Sequence, residues 1–86
     1  MSGRDDSERD PLADISTLPE VLDALRRRLT AIESSSDTLQ VHLASERAQG
    51  FVEALEVLKV VRPAEIESLY LLVEKTAQAR ITELLL

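Results

Sequence analysis

The strongest constraint on the fold is a helical periodicity that runs from about residue 37 to residue 85 and is interrupted once. Apolar residues recur at three- and four-residue spacing on both sides of Arg62-Pro63. Proline disfavours the helical conformation in the residue before it and is well tolerated in the first turn of a helix. The pattern therefore predicts two helices, about 37–61 and 63–85. Their short connection favours an antiparallel helical hairpin.

A shorter helix is predicted upstream, over about residues 18–33. Thr17 and Glu20 have the spacing of a capping box, and Pro19 would lie in the first turn. We therefore expect Thr17 to be the N-cap and Ser34 to Ser36 to end the helix. Its apolar residues share about 100° of the helix circumference, and they are Leu18, Val21, Leu22, Leu25, Leu29 and Ile32.

Residues 1–15 are predicted to form a mobile acidic tail. The segment contains five acids, two arginines, a glycine and a proline, with apolar residues only near its edges. Such a composition buries too little apolar surface to offset the entropy of ordering. Residues 16–86 would then form a single three-helix domain.

A chain of 86 residues has a small core that needs reinforcement. It contains no cysteine and one histidine, His42, so disulfides and Cys- or His-rich metal sites do not supply it. We expect no cofactor and a cytoplasmic location. Oligomerisation remains as the reinforcement.

The two long helices carry more apolar surface than one neighbour can cover. The second helix is apolar over about 220° of its circumference, whereas a helix with one partner needs little more than 100°. The third has a second apolar line, Leu72, Ala79 and Leu86, about 200–240° away from Ile66. We therefore predict a homodimeric bundle. Its predicted interface comprises Phe51, Leu55, Leu58, Leu69, Leu72, Val73, Ala79 and Leu86.

Several features bear on the type of partner. The formal net charge of −6 and the single Phe and Tyr argue against nucleic acid, and no apolar run is long enough to span a membrane. A helix-turn-helix regulator would need a positive recognition helix, which neither long helix provides.

Gly50 lies in the apolar arc of the second helix, where it indicates either close approach of another backbone or a weak point.

Arg47 and Arg80 are the candidate site residues. Each falls by angle within the apolar arc of its helix, so each guanidinium needs a carboxylate or carbonyl partner if it is buried. The two alternatives are structural ion pairs, within the chain or across a dimer, and an anion site inside the bundle.

The stretch Leu25 to Glu33, LRRRLTAIE, resembles the opening helix of the small all-helical chorismate mutases, which reads roughly LRxxIDxID. Arg47 and Lys59 resemble that family's second arginine and its lysine. The resemblance implies a dimeric bundle enzyme in which Arg47 and a second arginine converge on a closed pocket. Thr30 and Glu33 stand where the family has aspartates.

The functional prediction is a small acidic helical module that binds or regulates another protein as a homodimer, without catalysis. Three alternatives stay open. The first is an acidic inhibitor that occupies the basic groove of a nucleic-acid-binding protein. The second is the chorismate-mutase-like enzyme, and the third is the helix-turn-helix regulator.

Overall fold

A computed structural model describes residues 10–86, and this part of the chain is all α-helical. Its three helices are α1 (Pro19–Glu33), α2 (Thr38–Leu58) and α3 (Pro63–Leu85), each of which contacts the other two. The all-α prediction is confirmed. The predicted bounds agree to one residue except at the end of α2, which comes three residues earlier than expected.

α1 begins differently from the prediction. Its N-cap is Leu18, and no side chain caps the helix. The Thr17 hydroxyl instead donates a 2.8 Å hydrogen bond to the carbonyl oxygen of Val60, between α2 and α3. Thr17 therefore ties the start of α1 to the rest of the fold, a use that local spacing does not reveal.

Hydroxyl and carboxylate side chains organise the link between α1 and α2. The Ser35 hydroxyl donates to the Ala31 carbonyl, and Asp37 accepts a 2.8 Å hydrogen bond from the backbone N–H of Gln40. Asp37 is thus the N-cap of α2, because its carboxylate satisfies a donor that the first helical turn leaves unpaired.

α2 ends early because Lys59 adopts the left-handed conformation, with φ 59°. The backbone N–H of Lys59 then bonds to the Glu56 carbonyl and that of Val60 to the Leu55 carbonyl. This arrangement satisfies two of the last four carbonyls of the helix. It also turns the chain inward, so that Val61 is buried outside the helix that was predicted to contain it.

One hydrophobic core receives side chains from all three helices and from the segment before them. The buried apolar residues are Leu12, Leu25, Leu29, Ile32, Val41, Ala48, Val52, Leu55, Val61, Ile66, Leu69 and Val73. In α1, the buried leucines and isoleucine belong to the predicted stripe.

The segment 10–16 differs from the predicted mobile tail, whose residues 1–9 lie outside the described part. Leu12 is 1% exposed. The Asp10 carboxylate accepts hydrogen bonds from the Leu12 N–H and from the Arg26 guanidinium. At the other end, the Ser16 N–H donates to the Glu65 carboxylate. The average composition of residues 1–15 does not predict the packing of this segment. That packing depends on one buried apolar side chain, Leu12, and on the hydrogen bonds of Asp10 and Ser16 on either side of it.

Candidate interaction surface

Three of the residues predicted to form the interface lie in the core of the single chain. Leu55, Leu69 and Val73 are only 2–3% exposed. They cannot meet a second molecule without unfolding, so the prediction is wrong for them. Helical periodicity identifies residues that share a face, but it does not tell which part of a broad apolar arc the chain itself covers.

The remaining predicted interface residues divide into half-buried and exposed positions. Phe51 is half-buried beneath Arg28 of α1, whose guanidinium carbon lies 4.9 Å from the ring centroid. Leu72 is half-buried and lines a concavity with Pro11 and Ile15. The segment before α1 thus lies beside Leu72, the first residue of the second apolar line of α3. Leu58, Ala79 and Leu86 are exposed.

Exposed apolar side chains lie on α2 on the side opposite the core. The buried residues of α2 are Val41, Ser45, Ala48, Val52 and Leu55. At 100° per residue, the side of the helix opposite them carries a different set. We call this set the outer face of α2, and it consists of Leu39, Leu43, Gly50, Ala54 and Val57.

Every residue of the outer face of α2 is exposed among residues 10–86. Leu39, Leu43 and Val57 are 67%, 52% and 71% exposed. Scattered exposed leucines are common on proteins, whereas an aligned set along a helix is typical of an interaction surface. At 100° per residue, all five positions fall within the apolar arc of about 220° that the sequence predicts for this helix, but only the fold separates them from the core residues.

Gly50 lies at the middle of the outer face. A Cβ atom built on it would have no neighbour within 4 Å, and its φ angle is not positive. Neither a tight contact within residues 10–86 nor the backbone conformation therefore requires glycine. Of the two alternatives for Gly50, close approach of another backbone is not found within residues 10–86.

The two flanks of the outer face carry opposite charge. Arg47 lies on the flank towards α1, one turn before Phe51 and its covering residue Arg28. The flank towards α3 carries Glu46 and Glu53, which line a concavity with Tyr70 of α3.

The pKa of Tyr70 reflects its burial first and the nearby carboxylates second. Burial raises the pKa of the Tyr70 phenol above its usual value, and the carboxylates of Glu56 and Glu53 raise it further. The negative field disfavours a second negative charge, which is the expected behaviour of an acidic groove.

Arg47 and Arg80 differ in their surroundings, and the structure does not bring them together in a pocket. Arg47 is exposed although it falls by angle within the apolar arc of α2, so it needs no buried partner, and it forms no ion pair within residues 10–86. Arg80 is half-buried. Its Nε donates a 2.9 Å hydrogen bond to the Ser35 carbonyl, and its Nη1 donates a 3.0 Å hydrogen bond to the Glu83 carboxylate.

The remaining chemistry of the described part is sparse. Residues 10–86 contain no group of three or more side chains that could hold a metal ion. No helix among them has the length and apolarity needed to cross a membrane. His42 is exposed and lines an open groove with Glu74 and Lys75 of α3.

Comparison of the chain with protein-family models, with curated proteins and with solved structures found no match.

Proposed function

We propose that this chain is a non-catalytic protein–protein interaction module that acts as a homodimer through the outer face of α2. The observation that carries the proposal is the alignment of Leu39, Leu43 and Val57 on that face, each more than half exposed. Burying these side chains against a second copy removes apolar surface from water, at about 25 cal/mol per Å².

The proposal places a helical pair at the centre of the dimer. The short connection between α2 and α3 favours an antiparallel hairpin, and hairpins joined through α2 would extend the bundle. A two-fold dimer uses the same patch on both copies, so a single apolar face is sufficient. The module would reinforce its small core in this way, since a chain of this length has few other means.

The experiment is a measurement of solution mass against concentration by light scattering, with two matched variants. Leu43 and Leu71 are 52% and 56% exposed, on α2 and α3 respectively. Leu43→Gln and Leu71→Gln therefore remove comparable apolar surface from different helices. We expect a dimer for the unaltered chain and for Leu71→Gln, and a shift towards monomer for Leu43→Gln.

Two results would contradict the proposal. A monomeric mass for the unaltered chain at high micromolar concentration would rule out the homodimer. Equal weakening of the dimer by both substitutions would rule out the outer face of α2 as its interface. Circular dichroism of both variants ensures that the helices themselves are unchanged.

A further inference from the structure

The orientation of the proposed dimer can be argued from two features of the outer face of α2, its central glycine and its asymmetric charge. This orientation rests on the proposed homodimer and goes beyond it, because a helix pair can be parallel or antiparallel. Each arrangement brings different flanks together.

Gly50 marks the point of closest approach. A glycine inside a helix costs about 1 kcal/mol relative to alanine. Nothing within residues 10–86 lies near enough to Gly50 to require the missing side chain. Ala54, one turn later on the same face, is also small. Helix axes approach more closely where the contacting side chains are small, so these two residues form a shallow seat for another helix.

The longer apolar side chains lie on both sides of this seat. Leu39 and Leu43 precede Gly50, and Val57 follows it. A second α2 helix that crosses at Gly50 would therefore meet apolar side chains in both directions. The core lies on the opposite side of α2, so α1 and α3 do not obstruct the approach.

The flanks decide the orientation. In an antiparallel two-fold pair that crosses at Gly50, each flank meets the same flank of the other copy, which sets Glu46 nearly level with Glu53 of the other copy. The two Arg47 side chains then share a flank and lie about 9 Å apart along the axis. In a parallel two-fold pair each flank meets the opposite flank. Arg47 would then lie nearly level with Glu46 of the other copy. Like charges across an interface are unfavourable, whereas complementary flanks set the register of a helix pair.

Arg47 is suited to this role because its charge is not used within the described chain. It is exposed and has no ion pair among residues 10–86, whereas Arg26, Arg62 and Arg80 are paired there. We propose that a second copy of this chain docks on the outer face of α2 with the two α2 helices parallel, crossing at Gly50 and joined by Arg47–Glu46 pairs.

A distance between spin labels tests the orientation directly. The chain has no cysteine, so Thr38→Cys provides a single labelling site at the exposed start of α2. Thr38 is twelve residues from Gly50, about 18 Å along the helix. Parallel helices would place the two labels less than about 25 Å apart, and antiparallel helices about 35 Å or more apart.

Two substitutions test the crossing point and the ion pair. Gly50→Ala is expected to stabilise the monomer and to weaken the dimer about tenfold or more, because the added methyl group favours the helix and separates the two backbones. Arg47→Glu is expected to weaken the dimer, whereas the control Arg27→Glu, exposed on α1, leaves it unchanged. Adding Glu46→Arg to Arg47→Glu should restore affinity in part.

The outcomes separate the two proposals. A monomeric mass for the unaltered chain overturns the homodimer itself. A dimer whose labels at Thr38 are about 35 Å or more apart, or one that Arg47→Glu strengthens, overturns only the parallel arrangement. A dimer with short label distances that Gly50→Ala does not weaken overturns the crossing at Gly50.

Discussion

The guanidinium carbon of Arg28 lies 4.9 Å from the centroid of the Phe51 ring, so that a cation from α1 covers the largest apolar side chain of α2. Phe51 had been predicted to face a second copy. It is instead half-buried within one chain. The cation supplies attraction to the ring face, and the aliphatic stem of Arg28 can pack along the same helix surface.

Arg28→Ala should therefore lower the free energy of unfolding by about 1–2 kcal/mol, since it removes the cation and uncovers the ring. Urea denaturation measures the change. The matched control is Arg27→Ala, because Arg27 is exposed on the same helix. Equal effects of the two substitutions would show that the contact with Phe51 contributes nothing.

Leu12→Ala should destabilise the chain by about 2–4 kcal/mol, the usual cost of truncating a buried leucine to alanine. Leu12 is 1% exposed although it lies before the first helix. Thermal or urea unfolding checks this, with Pro11→Ala as the exposed neighbour. A change below about 0.5 kcal/mol, typical of surface substitutions, would mean that the segment is not bound to the core.

Glu65 should make the fold sensitive to acid. A hydrogen bond from Arg62 is the main cause that holds the pKa of the Glu65 carboxyl below its ordinary value of 4.5, and the Ser16 N–H contributes. A carboxyl whose pKa is lowered in the folded state stabilises the fold at pH values above its ordinary pKa. This stability is lost as the pH falls below 4.5 and through the lowered folded-state pKa.

The measurement is the free energy of unfolding as a function of pH for the unaltered chain, Glu65→Gln and Glu67→Gln. Glu67 is the exposed control, two residues away. The acid-dependent loss should be smaller in Glu65→Gln and unchanged in Glu67→Gln. The pKa of Asp10 is also lowered, mainly by a hydrogen bond from Arg26, so some acid sensitivity should remain. Identical pH profiles for all three chains would refute the role of Glu65.

Lys59→Gly should raise the free energy of unfolding by about 0.5–1 kcal/mol. Lys59 has φ 59°, a left-handed conformation that glycine adopts without the steric cost of a Cβ atom. Lys75→Gly, at an exposed position inside α3, should instead destabilise the chain by about 1 kcal/mol. Chemical denaturation distinguishes the two, and a loss of stability in Lys59→Gly would show that the lysine side chain matters more than the backbone.

Much of the helical structure could be predicted from local chemistry. Pro63 indicated the start of α3, and the stripe that contains Leu25, Leu29 and Ile32 identified the buried face of α1. The end of α2 could not be predicted in the same way. It depends on a lysine in a conformation that glycine usually occupies, and Val61 is buried where the chain turns inward.

The candidate site was predicted only as a set of apolar residues too broad for one neighbour. Sequence periodicity by itself determined that α2 is apolar over about 220° of its circumference, because side-chain direction repeats every 3.6 residues whatever surrounds the helix. Only the tertiary structure decided that Leu55 faces the core, whereas Leu39, Leu43 and Val57 face outward and Arg47 is exposed. The physical reason is that burial depends on where the other helices pack, and contacts between residues distant in sequence set that packing.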